Sequence, residues 1–235
     1  VKPWLGAMYP PSKYIKDPEN PHKVFTEDDN NWAAPEVKLD LDYIFGYRAR
    51  DCRDNLHWIN EDHVVFPAAA VGVILNLKTT DEDFFYGHDD DIVCMDYHKD
   101  THMVASGSIG ARDTVRLCLW QPNVEDMNGQ TAKFIIMGFH QFAVVSVAFN
   151  PQGTIVASIG MDEHHSVALY CTKTATLLAC APADKNRLVH CRFNTSASVC
   201  SATHFVTLGV KHISFWTPKD TTLPEDKAGD KNYYY

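Results

Sequence analysis

Gly87-His88-Asp89-Asp90-Asp91-Ile92-Val93 opens a stretch that passes Met103-Val104-Ala105-Ser106-Gly107-Ser108 and closes on Val115-Arg116-Leu117-Cys118-Leu119-Trp120. The layout recurs. Gly138-Phe139-His140 leads through Val144–Phe149 and Thr154-Ile155-Val156-Ala157-Ser158-Ile159-Gly160 to Val167-Ala168-Leu169-Tyr170. A third copy runs from Leu188–Phe193 through His204-Phe205-Val206-Thr207-Leu208-Gly209 to Ile213-Ser214-Phe215-Trp216. Each copy holds short runs of Val, Ile, Thr and Phe, separated by turn clusters such as Asn150-Pro151-Gln152-Gly153. Such runs read as strands. Internal repetition at this scale means small sheets that become stable by stacking on one another.

A period of roughly 40–45 residues, with a Gly-His start and an apolar-aromatic end, is the WD40 signature, one four-stranded propeller blade per unit. The fold class is therefore all-β, a WD40-type β-propeller. Four blades are expected, over residues 55–86, 87–137, 138–180 and 181–217. The copies are degenerate: Gln121, Cys171 and Thr217 stand where an aspartate usually follows the closing aromatic. The expected anchors are Trp120, Tyr170 and Trp216. Only the second blade shows a His–Asp–Ser–Trp set, from His88, Asp113, Ser106 and Trp120. Pro67 interrupts the strand-like run 64–70 and predicts an edge or a bulge. Four blades fall short of the common closed ring of seven. With Val1 at its start, the chain reads as part of something larger whose open blade edge needs a partner.

Upstream, Tyr43-Ile44-Phe45-Gly46-Tyr47-Arg48-Ala49-Arg50-Asp51-Cys52-Arg53 sets arginines among aromatic residues. A plain strand or a plain charged loop uses only one of those sets. Both together predict a half-buried elbow, with arginines bonding carbonyls or carboxylates while the aromatics pack. Two readings stand for Arg48, Arg50 and Arg53: internal ties to the adjoining blade, or contact with a partner's carboxylates. From Leu39-Asp40-Leu41-Asp42 to Ala69-Ala70-Val71-Gly72-Val73-Ile74-Leu75-Asn76 the run closely resembles the HELP motif of the echinoderm microtubule-associated protein-like (EML) family. Its site residues are carried over as Tyr43, Gly46, Tyr47, Arg48, Arg50, Asp51, Cys52 and Arg53, with Cys52 a packing residue. The resemblance implies an atypical, incomplete propeller of HELP motif plus blades. It also implies a non-catalytic scaffold for tubulin or microtubules and other cytoskeletal proteins, completed by further blades or a second propeller. Cytoplasm, microtubules and the axoneme are the places it implies.

The ends differ from the middle. Residues 1–36 carry Pro3, Pro10, Pro11, Pro18, Pro21 and Pro35 and read as an extended arm, with Trp4, Leu5, Met8 and Tyr9 docking on the propeller. Residues 37–86 form the HELP motif and first blade, 87–217 the further blades, and 218–235 a linker or frayed end.

Composition narrows the rest. The 21 Lys+Arg against 30 Asp+Glu give −9, a poor match for nucleic acid or an acidic membrane surface. The same charge restricts any tubulin contact to a local, shape-driven one. Seven scattered cysteines without a CxxC pair fit buried, reduced thiols. No apolar run approaches a membrane span and the start lacks a signal-peptide layout. Phosphate-loop, nucleophile-elbow and zinc-protease motifs are absent. Asp162-Glu163-His164-His165 is the best metal-like cluster, but adjacent residues on a turn point apart and no second ligand group stands at a supporting spacing. It reads as a turn, and His88 with Asp89, Asp90 and Asp91 reads as a blade start. No enzyme, metal or cofactor is expected. Loops 108–113, 121–130 and 161–165 are the candidate contact loops. A generic WD40 scaffold without tubulin binding is the alternative.

Overall fold

In the computed structural model the described residues are 40–111, 113–125, 129–195 and 203–217. Every strand lies in the second of two compact units, Asp42–Tyr235. The proposed arm and the 218–235 segment lie outside the described residues.

Among the described residues, fifteen strands build four antiparallel sheets in chain order. Blade 1 is β1 (His57–Trp58), β2 (His63–Ala68), β3 (Val71–Asn76) and β4 (Glu82–Phe85). Blade 2 is β5 (Ile92–His98), β6 (Met103–Ser108), β7 (Leu117–Trp120) and β8 (Ala132–Ile136). Blade 3 is β9 (Val144–Phe149), β10 (Ile155–Gly160), β11 (Val167–Cys171) and β12 (Leu177–Ala181). Blade 4 is β13 (Leu188–Phe193), β14 (Phe205–Gly209) and β15 (His212–Trp216), with no fourth strand among the described residues. The WD40-type propeller expectation holds, with about four blades and no closed ring among the described residues.

Period-2 alternation makes both faces of each middle sheet apolar, and each face buries against a neighbour. Ile74 and Phe85 of blade 1 pack with Met95, Val104 and Trp120 of blade 2. Leu117 and Leu119 of blade 2 meet Val144, Val147 and Tyr170 of blade 3. Ile159, Val167 and Leu169 of blade 3 meet Leu188, Cys191 and Phe205 of blade 4. Turn chemistry ends the strands locally. Asn150 Oδ1 accepts from the Thr154 and Ile155 amides, and Gly153 supplies the φ of +66° that the β9–β10 turn requires.

Pro67 sits inside β2, opposite Gly72 of β3. On its other side β1 pairs only with Val64 and Val65, so the missing donor falls beyond the end of β1. The expected edge strand or bulge is thus corrected: β2 is an interior strand in regular register, and Pro67 is tolerated because β1 ends before reaching it.

Candidate functional site

The HELP run adopts no regular strand before β1, yet it is tied down at named points. Ile44 donates its amide to Glu82 of β4 at 2.7 Å and packs on the outer face of blade 1 with Phe66, Val73 and Phe84. Tyr47 meets the Phe66 ring edge-on at 5.8 Å and its hydroxyl bonds the buried Asn55. Arg48 grips Asp51 with two hydrogen bonds of 2.8 Å and reaches Asp91 at the entry to blade 2. Arg53 bonds the carbonyls of Ala49 and Cys52, closing the elbow on itself. Arg50 is exposed. The internal arrangement thus describes Arg48 and Arg53 and leaves Arg50 facing solvent.

The aromatic half of the expectation needs correction. Phe45 is 95% exposed and meets the Tyr43 ring at a tilt of 49°, while Tyr47 is about half exposed. Ile44 and the Tyr47 ring are the groups of this irregular segment that reach the outer face of blade 1, and Phe45 points away from it. Gly46 is exposed with space around it. Cys52 is buried, and burial, against the pull of Arg48, pushes its thiol up. Such a thiol is a packing group rather than a nucleophile.

The blade anchors form two different networks. In blade 2, Trp120 Nε1 donates to Ser106 Oγ at 3.2 Å, and Ser106 Oγ lies 2.7 Å from His88 Nε2. The indole can only donate, so Ser106 Oγ accepts from Trp120 and takes His88 Nε2 as its second partner, while His88 Nδ1 lies beside the Cys118 sulfur. Burial, and secondarily the Arg116 charge, push His88 down to about 3. Arg116 itself bonds the Gly87 carbonyl at 2.8 Å and pairs with Asp89. Asp113 is exposed in the turn after β6 and takes no part in this network, a correction to the four-residue set.

The aspartate is found one blade later. His140 Nε2 lies 2.6 Å from Ser158 Oγ, and its Nδ1 faces the Asp162 carboxylate at 3.9 Å. Ser166 donates both its amide and its hydroxyl to Asp162, and the His164 amide donates to it as well. Burial pushes the Asp162 carboxyl up, but His140 and Ser166 outweigh it and hold the group well below the usual carboxylate range. Asp162 is therefore a turn-organising carboxylate beside a buried histidine. Blade 3, read as lacking a network, holds the fuller one. The missed signal was a spacing: each histidine precedes its serine by 18 residues. The residue four after the serine is Gly110 in blade 2 and Asp162 in blade 3. In blade 4, Trp216 Nε1 donates to Thr207 at 2.9 Å.

A polar hub missed by sequence reading joins the inner strands. Arg192 of β13 pairs with Asp54 of the HELP run and lies 3.6 Å from Asp96 of β5. Asp96 accepts the Phe149 amide of β9 at 2.8 Å, and burial pushes its carboxyl up. Nothing in local sequence links positions 54, 96 and 192. Among the described residues, no cluster of His, Cys, Asp and Glu could hold a metal ion.

The contact loops divide between the two ends of the strands. Loops 109–116 and 161–166 each join the second and third strands of a blade, whereas 121–131 joins the third and fourth and lies at the opposite end. There Gln130 and the Gly129 amide bond the buried Asp83 of β4.

These features define a class: a HELP-bearing segment of WD-repeat blades. Residues 34–73 match the HELP motif and residues 79–117 the WD domain, G-beta repeat. Beyond the motifs, the chain is 28% identical over 188 residues to the 77 kDa echinoderm microtubule-associated protein of Lytechinus variegatus. That match covers 78% of this chain and 27% of the relative. It is 27% identical over 197 residues to echinoderm microtubule-associated protein-like 1 of Homo sapiens, covering 80% and 23%. It is 28% identical over 208 residues to echinoderm microtubule-associated protein-like 4 of Xenopus tropicalis, covering 86% and 22%. The resemblance to the EML family read from the HELP run thus extends over most of the chain. The chain spans about a quarter of the length of the curated relatives it matches.

Proposed function

We propose that this chain is part of a non-catalytic scaffold that binds tubulin or microtubules and works at the cytoskeleton. The observation that carries the proposal is the similarity to proteins named microtubule-associated, which runs through the HELP motif and the blades together. The architecture supports it: rigid stacked sheets present loops at both ends, and binding residues concentrate on loops held by a rigid frame. We propose the HELP elbow as one contact, through the solvent-facing Arg50 with Phe45 and Tyr47, because arginine and aromatic groups are the usual anchors of protein interfaces. The remaining blades, or a second propeller, are the partners of the open end.

Co-sedimentation with taxol-stabilised microtubules, run beside gel filtration with soluble tubulin, tests the proposal. Binding in either format that weakens when Arg50 and Phe45 are changed to serine supports both the scaffold and the elbow. Binding in neither format leaves a WD-repeat scaffold for other proteins.

A further inference from the structure

A second surface stands at the blade 2–blade 3 junction. Four loops are laced there by backbone hydrogen bonds. The Ile109 amide donates to the Asp91 carbonyl at 3.0 Å and the Gly110 amide to the Phe142 carbonyl at 3.0 Å. The Met161 amide donates to the Ala143 carbonyl at 2.9 Å, and Ile109 and Ala143 form a bridge. The result is a fixed ridge crossing both blades at the end where Asp162 organises its turn.

Two large apolar side chains stand out of this ridge, Phe142 at 53% exposure and Met161 at 45%. Phe142 also has a φ of +67°. A bulky L-residue is disfavoured in the left-handed region, where glycine is at home. Phe142, half exposed in that conformation, belongs to none of the four core clusters and strains its turn. Strain kept at an exposed apolar residue points to binding rather than packing. Among the described residues of these loops, the exposed charged side chains are Asp89, Asp90, Asp113 and Glu163; Asp89 pairs with Arg116 and Asp90 accepts the Asp91 amide.

We propose that this ridge docks a basic peptide segment of a partner protein, whose apolar anchor seats against Phe142 and Met161 while its Lys or Arg side chains meet Asp90 and Glu163. Preformed loops lower the ordering cost of binding, and a central apolar anchor inside a charged rim is the usual arrangement of a hot spot. The partner differs in charge from an acidic microtubule surface, so the inference stands apart from the tubulin reading.

The test uses the full chain and a labelled synthetic 12-residue peptide with a central Leu-Phe pair flanked by arginines, followed by fluorescence anisotropy. Saturable binding in the range of about 10–100 µM is expected. It should weaken at least about tenfold in Phe142→Ser, in Asp90→Lys with Glu163→Lys, and when glutamates replace the peptide's arginines. The Phe142→Gly variant guards against a folding artefact. It removes the anchor and relieves the backbone, so its Tm should rise by about 2–4 °C while binding is lost. Equal binding by the variants, equal binding by a peptide with serines in place of Leu-Phe, or no saturable binding overturns the proposal. Microtubule co-sedimentation of Phe142→Ser should match that of the unaltered chain. A parallel loss there would make the ridge the tubulin face and overturn the basic partner.

Discussion

In blade 2 the buried histidine bonds Ser106 through one nitrogen and turns the other toward the Cys118 sulfur; in blade 3 it bonds Ser158 and turns the other toward the Asp162 carboxylate. The frames are otherwise alike, with an 18-residue step from histidine to serine and a large aromatic side chain closing the third strand. The surroundings follow the difference. In blade 2 burial, helped by the Arg116 charge, holds the histidine neutral, and Arg116 takes the neighbouring carbonyl and Asp89. In blade 3 a carboxylate caps the turn through Ser166 and His164 and leaves the opening loop free to carry Phe142. The loss of one acidic residue therefore does not unmake a blade. It moves the charge from the inside of the turn to the outside.

Removing the carboxylate should show the largest effect. Asp162→Ala strips the partner from three donors and is expected to cost about 3 kcal/mol, read as a lower urea midpoint at constant m-value. A midpoint within error of the unaltered chain would mean that Asp162 does no more than Asp113.

Next comes Gly160→Ala. An added Cβ would sit 2.3 Å from His140 Nδ1 and 2.5 Å from Asp162 Oδ2, so the network must open. The expected cost is about 2 kcal/mol. Blade 2 already carries a side chain, Ser108, two residues after its serine, so Ser108→Ala should be milder.

Acid separates the two networks by their windows. His88 has a folded value of about 3 against an ordinary 6.5, so the unfolded chain binds the extra proton between those values. Stability is full above about 6.5 and falls as the pH drops, by about 2 kcal/mol from pH 6.5 to 5. Asp162 works the same way lower down. Its depressed carboxyl contributes stability above the ordinary carboxylate range and loses it only as the pH falls below about 4. Comparing the unaltered chain with His88→Gln between pH 7 and 5 should remove one proton from the slope, and an unchanged slope would refute the buried neutral histidine.

The smallest effect is reserved for Asp113→Ala, expected within about 0.5 kcal/mol because the side chain stands in solvent.

What could be read from sequence divides along the same lines. The blades were legible because strand period, Gly-His starts and closing aromatics are local features whose spacing repeats. Asp162 was legible in principle from its distance to Ser158, but Glu163, His164 and His165 beside it imitate a metal cluster, and Asp113 looked equivalent by eye. Phe45 was misjudged because an irregular segment has no period to say which side chains turn inward. The Asp54–Arg192–Asp96 hub is a meeting of distant strands, and no local pattern announces it.

The two ends of the stack differ as well. Ile44 and Tyr47 lie on the outer face of blade 1. At the far end Phe215 is 80% exposed, although its counterpart Leu169 in blade 3 is 5% exposed under the next blade. During synthesis the ribosome releases the HELP elbow before the sheet it covers. The first blade then emerges with the segment that covers its outer face already within reach, and each later blade lands on a finished neighbour. The exposed apolar face thus moves along with the newest of these four sheets.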